Sequence, residues 1–430
     1  MELMAVRVYL SPCKSVQASL PPSPCPPPMS YLRFIADNFR LLMVGFLLAF
    51  SSSFGQTYFI ALFSGHIRAG LGLSHGQFGG IYALATLASA MTLIWAGRKI
   101  DHVALELYVL AICGGLVLAC LFTGWAPSVA VLGLGLYGLR LFGQGLMTHA
   151  GTTSMARYFD RNRGKAIAIA SIGHPAGEAV FPLLAVLVMG LLGWRGTWVA
   201  AAAFLGLGLT PLVLWLLMHP GDRKARALAA SPPDRHAAWA MQKKMLRQPR
   251  FFAYLFCTVA QPFIFTGVFF HQVHIVSRKG WELGWFAALF PLLAATALVV
   301  SLLAGALVDR FGGRRLLPFF LLPLGSGLVV LMLSSAPQAA IAFMLLTGMS
   351  LGAANVIVSS MWAEVYGTEN LGAVRSLATS VMVFSTALSP VLFGWLLDLG
   401  FPVSALLMIC IVYVAAASLS VALVPPPDRR

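Results

Sequence analysis

From Leu41 to Val424 the chain alternates long apolar runs with short polar breaks. Each run reaches the ~18–20 residues needed to cross about 30 Å of hydrocarbon. Strands of a membrane barrel would instead be roughly ten residues long with alternating polarity. Backbone N–H and C=O groups find no partner in lipid, so spanning runs that are not barrel strands must be helices. The breaks predict twelve of them, at 39–66, 75–97, 102–124, 127–156, 164–191, 194–218, 251–276, 282–306, 314–334, 337–362, 371–397 and 401–424.

Composition agrees: 59% of the 430 residues are hydrophobic, only 10% are charged, and the mean hydropathy is +0.84. A soluble domain carries about 25% charged residues, so this chain cannot coat itself for water. The net charge of +15 raises the question of nucleic acid, and its placement answers it. With the N-terminus on the inside, Arg and Lys crowd the inner loops, and only Arg68, Arg195, Arg278 and Lys279 fall in outer ones. That is the positive-inside bias. It predicts cytoplasmic N- and C-termini and leaves nothing that calls for a nucleic-acid partner; the location expected is a bacterial inner membrane. The six cysteines form no CxxC pair and are read as small buried apolar residues. Residues 1–28, with SLPPSPCPPP, are expected to be disordered or to precede the true start at Met29, and residues 425–430 to form a cytoplasmic tail.

The chain repeats itself. GRKIDH and GALVDRFGGRR pair Gly97 with Gly305 and Asp101 with Asp309, both 208 residues apart. The same shift pairs Tyr158 with Tyr366, Gly164 with Gly372 and Pro182 with Pro390. Each match falls at the same place in a six-helix block, so the fold expected is all-α, with two six-helix pseudo-symmetric halves at 29–218 and 251–424. The basic stretch 219–250 is the expected cytoplasmic linker. Parallel six-helix repeats of this kind bind substrate near the bilayer midplane, between the halves.

GALVDRFGGRR is a full match to the loop signature of the major facilitator superfamily, which the chain resembles over essentially all of 29–424. RYFDRNRGKAIAIAS followed by GWRGTW is similar to its monocarboxylate and oxalate/formate branch. The resemblance implies a secondary transporter. It also implies gating roles for Gly97, Asp101, Gly305, Asp309, Arg310, Arg314 and Arg315. In physical terms, Gly305 would permit close helix approach, and Asp309 would be held by arginines and a neighbouring helix N-terminus. Such a charge cluster would latch one half against the other.

Charges inside the bilayer cost at least ~2.5 kcal/mol each on insertion scales and are functional candidates by default. Arg140 in the fourth predicted helix and Glu178 in the fifth fall at similar depth, and His174 lies one turn before Glu178. Two expectations stay open: proton coupling through Glu178 and His174, with Arg140 biasing it or meeting a substrate carboxylate, or a static Arg140–Glu178 pair. The resemblance adds that the corresponding fourth-helix arginine assists proton coupling and that helices 1, 4, 7 and 10 line the cavity. Gln56, Tyr58, Gln261, His271 and Asn355 are then the expected lining residues, together with Arg140.

The branch resemblance breaks at one point: the eighth predicted helix has no Lys or Arg, and the eleventh has only Arg375 near its start. A dianion would be poorly provided for. A protonated monocarboxylic acid, a neutral solute or an amphipathic compound would fit better, and the branch resemblance makes a small organic acid, carried with a proton, the leading expectation. Efflux of a drug-like compound, or a sensor that keeps the fold without transporting, are the alternatives. GMSLG at 348–352 and GLGLYG at 133–138 imitate enzyme motifs, but both lie within predicted helices and no strand precedes them. No enzymatic activity, cofactor or metal is expected, the two imidazoles of HQVH lacking a third ligand nearby. The expected partners are a small solute, protons and the bilayer, with the protein a monomer.

Overall fold

In the computed structural model the described residues are 31–159, 162–218, 241–243, 245–367, 369 and 371–424. The expectations for residues 1–28 and 425–430, and for most of the 219–250 linker, lie outside them. Tyr31–Asp37 is a short helix by itself, with Arg33 and Asp37 3.9 Å apart one turn along it.

The rest is helical, with no strand among the described residues. α1 is a bent pair, Phe39–Gly55 and Thr57–Leu71, at 44° to one another. α2 (His75–Asp101), α3 (Leu105–Gly124) and α4 (Val129–Tyr158) follow. Arg163–Leu217 runs for 55 residues but is broken at Gly193, whose φ of 68° only glycine adopts easily. This splits it into α5 (163–192) and α6 (194–217). α7 (Pro249–Phe270) breaks at His271 and resumes as Gln272–Arg278. α8 (Leu283–Phe311), α9 (Leu322–Leu333), α10 (Pro337–Tyr366), α11 (Leu371–Asp398) and α12 (Val403–Ala422) complete the series; among the described residues nine helices are long and apolar enough to cross a membrane, ten with the bent pair α1 taken as one, with α5 and α6 still joined, and α9 is a shorter apolar helix. At 12 residues α9 is the shortest of them, about 18 Å long.

Small residues decide where these helices touch. Gly135 and Gly138 of the GLGLYG stretch lie against Thr123 and Ala119 of α3, and Gly348 and Gly352 of GMSLG lie against the α8 backbone at Leu293 and Ala297. Both stretches are mid-helix contacts between neighbouring passes.

The two halves meet along α2–α11 and α5–α8. Gly79 leaves room for the Pro390 carbonyl, and Gly394 for the backbone of His75 and Gly76. At the end away from the basic loops, Asp398 at the close of α11 caps the start of α2. Its carboxylate accepts from Ser74 Oγ at 2.6 Å, His75 N at 3.0 Å and Gly76 N at 2.8 Å. Nearby, Gln272 Nε2 donates to Tyr58 O across the halves at 2.7 Å. These donors together hold this end closed.

At the basic end the signature loops are held differently from expectation. Asp101 lies 3.6 Å from Arg157, which also donates to Ile100 O at 2.7 Å, and the Gly97 carbonyl meets His149 Nε2 at 3.2 Å. All of these belong to the N-terminal half. In the C-terminal half it is Glu364, not Asp309, that takes the N–H groups of Gly313 (2.5 Å) and Arg314 (3.0 Å). Asp309 is exposed and has no hydrogen-bond or ion-pair partner among the described residues. Arg314 reaches Tyr254 Oη and Val424 O, Arg310 lies over the Phe311 ring, and Arg315 is exposed. Gly305 faces open space, so no close helix approach depends on it; Gly313, packed on Ser360 and Met361, fills that role. Neither loop bridges the halves here, because each is held by the nearest helix of its own half.

Candidate functional site

The site begins with two irregular stretches of backbone that face each other. In α1 the chain leaves α geometry just after Ser51: Ser52–Gly55 tightens into a 3₁₀ turn, and Ser52 Oγ turns back to Ala49 O at 2.6 Å. In α4, Leu139–Met147 widens into a π-helical stretch. The two meet at Gly55 and Gly143, whose backbones pack directly on one another; a Cβ on Gly143 would lie 2.7 Å from Gly55 N. Irregular backbone at membrane depth is tolerated only where protein or a cavity covers it, and π-helical stretches recur at functional sites.

Arg140 lies at this junction. Its Nη1 donates to the freed Gly55 carbonyl at 3.2 Å, and its guanidinium lies 5.2 Å from the Tyr82 ring centroid. Tyr82 in turn shares a 2.7 Å hydrogen bond with Thr57. Arg140 is only 6% exposed, and its Nε has no hydrogen-bond partner among the described residues. Glu178 is 3% exposed and has neither a hydrogen bond nor an ion pair among them. The static Arg140–Glu178 pair is therefore absent: the guanidinium turns to α1 and α2 instead. His174, one turn from Glu178, likewise has no partner among the described residues.

These groups line one cavity of about 770 Å³ between the halves. Of the expected residues it brings together Gln56, Tyr58, Arg140, His174, Glu178, Gln261 and Asn355. His271 is a correction. It lies beyond the end of α7 proper, 4% exposed, with Nδ1 3.0 Å from Gly267 O and its ring 5.8 Å from that of His75. It packs in the closed end, not in the chamber.

The cavity extends towards the basic end, through Thr152, Ser171 and Thr379, and is sealed at the other end by the contacts around Asp398. Its lining repeats the 208-residue shift: Tyr58 and Thr266, Ser89 and Ala297, Ser171 and Thr379, His174 and Met382, Glu178 and Thr386 all face it in pairs. Sequence reasoning missed Thr386, Met382, Gln144 and His149. The repeat itself was the signal for the first two, since shifting Glu178 and His174 by its period lands on them.

Comparison with known proteins follows the same lines. A model described as Major Facilitator Superfamily matches residues 45–322 and 282–430. Monocarboxylate transporter 13 of Bos taurus is 25% identical over 372 residues, covering 85% of this chain and 79% of that protein. Monocarboxylate transporter 11 of Homo sapiens is 30% identical over a shorter stretch of 147 residues, 33% of this chain and 29% of that one. Among solved structures, a single-residue mutant of the nucleoside transporter NupG superposes with a TM-score of 0.71 at 12% identity, covering 89% of this chain and 99% of its own. A bacterial homologue of the human lysosomal transporter Spinster, inward-facing and unoccupied, gives 0.62 at 16% identity over 91% and 94%. At such identities these structures speak for the fold alone.

Proposed function

Because this chain belongs to the Major Facilitator Superfamily, we propose that it is a secondary transporter carrying a small organic monocarboxylate together with a proton. Residues 29–218 rock against 251–424, exposing the cavity to each side in turn, and the basic end faces the cytoplasm. The arrangement described above is then the inward-open one, with the Asp398 cap closing the outer side.

The observation that carries this reading is Arg140: a guanidinium buried in a cavity, with a free Nε and no carboxylate opposite it among the described residues. A buried cation without a counter-ion is costly, and an incoming carboxylate supplies what is missing through charge-assisted hydrogen bonds. Glu178 lines the same chamber without a partner there, so its proton can come and go as the cavity fills and empties. An anion beside it favours the protonated acid, which links proton to substrate. Two relatives named as monocarboxylate transporters support the substrate class. An exporter of cationic compounds is disfavoured, since such a compound would meet Arg140.

Proteoliposomes containing the full chain, compared with protein-free vesicles, test the proposal with labelled lactate and hexanoate. Exchange of labelled for unlabelled acid is expected, and lost in Arg140→Gln. Glu178→Gln is expected to keep exchange but lose accumulation driven by a pH gradient. Wild-type exchange and accumulation by both variants would overturn it.

A further inference from the structure

The paired positions that line the cavity differ in one systematic way. Where the N-terminal half presents Glu178, His174 and Arg140, the 208-residue shift gives Thr386, Met382 and Gly348 in the C-terminal half. Among the described residues, every charged or imidazole side chain on the cavity wall (Arg140, His149, His174 and Glu178) comes from α4 and α5. The C-terminal wall is uncharged. Its polar members are amides and hydroxyls, and between them Phe265, Leu298, Leu351, Met382 and Val383 face the chamber. Leu298 lines the chamber where its partner in the repeat is the much smaller Ala90.

We infer that the substrate is amphipathic: one carboxylate held at Arg140 on the N-terminal wall, and an apolar body of medium-chain or aryl size laid against Phe265, Leu298, Met382 and Val383 on the C-terminal wall. This rests on the monocarboxylate reading of the same site and adds the part of the substrate that Arg140 does not touch. A second carboxylate at the far end of the body would face a wall that offers no cation, and stripping its water there has no compensation. A two- or three-carbon acid would satisfy Arg140 and leave the apolar wall bare to water. A cavity of about 770 Å³ lies in the range that encloses drug-sized ligands.

Binding to the detergent-solubilised full chain at neutral pH, followed by calorimetry, separates these cases and avoids passive permeation of the acids. The probes are acetate, hexanoate, 3-phenylpropanoate and adipate. Hexanoate carries four more methylenes than acetate, and each one buried is worth up to about fourfold in affinity, the equivalent of ~0.8 kcal/mol. Hexanoate and 3-phenylpropanoate are therefore expected to bind tens of times more tightly than acetate. Adipate, with the same six carbons as hexanoate, is expected to bind at least tenfold more weakly than it. Met382→Ser and Leu298→Ser should weaken hexanoate several-fold and leave acetate unchanged.

If acetate or adipate matched hexanoate while Arg140→Gln weakened all of them, the amphipathic assignment would be overturned and the monocarboxylate site would stand. If Arg140→Gln left hexanoate binding intact, the monocarboxylate site itself would fall, and this inference with it.

Discussion

α4 and α10 occupy the same place in the two halves, yet they are built differently. α4 opens into a π-helical stretch at Leu139–Met147, against a break in α1, and carries Arg140 at that junction. α10 is a continuous α-helix of 30 residues, and Gly348 stands at the position corresponding to Arg140. The same contrast runs through α5 and α11, where Glu178 and His174 face Thr386 and Met382 across the chamber. The difference teaches where intramembrane charge can be accommodated. The broken backbone of α1 leaves the Gly55 carbonyl free to accept from Arg140, and no comparable acceptor arises along a regular helix. One half is thus equipped to hold charge and the other to present an uncharged wall.

The largest effect is expected from exchanging charge for its uncharged equivalent. Arg140→Gln should lower monocarboxylate affinity by about 10–100-fold, the size of ~1.5–3 kcal/mol for hydrogen bonds to a charged group. On the opposite wall, Asn355→Ala should cost about fivefold, as for a neutral hydrogen bond worth ~1 kcal/mol. Equal losses in a binding titration would break the distinction between the walls.

Next comes the contact that closes the outer end. Asp398→Asn removes the charge from three hydrogen bonds that join α11 to α2. The balance between the two open states should move about tenfold or more towards opening at that end. Spin labels on the outer ends of α2 and α11, read by pulsed EPR, would report a longer distance; an unchanged distribution would show that the cap does not hold the gate.

Smaller effects concern stability. Gly143→Ala drives a methyl into the Gly55 backbone and should cost ~1–3 kcal/mol, seen as a lower thermal midpoint. Gly305→Ala meets nothing and should stay within ~0.5 kcal/mol of wild type, whereas Gly313→Ala, against Ser360 and Met361, should not.

Much of this architecture is legible in the sequence because lipid imposes it. Runs of apolar residues with punctuating glycines and charges mark the passes, and the 208-residue repeat marks the halves. The detail at the site is less legible. Similar depth leaves open a static Arg140–Glu178 pair beside proton coupling, because depth says nothing about which way a side chain turns. The π-helical stretch of α4 places the guanidinium against Gly55 and Tyr82 instead. His271 follows α7 in sequence closely enough to pass for a lining residue, but the break after Phe270 carries it into the closed end. Glu364 and Asp398 give no signal of their own. Each acts on backbone N–H groups from a distant part of the chain, and only the packing of α10 on the 8–9 loop, and of α11 on α2, brings them there.

The linkage between an anion at Arg140 and a proton on Glu178 can be measured directly as the pH dependence of hexanoate binding between about pH 5.5 and 8.5. The acid itself, ionising near pH 4–5 like other carboxyls, stays anionic across this window. An anion beside Glu178 favours its protonated form, so affinity should fall as pH rises through its titration, by up to about tenfold per pH unit. Glu178→Gln should bind hexanoate with no such slope. A wild-type affinity that ignores pH, or a slope that survives in Glu178→Gln, would contradict the account.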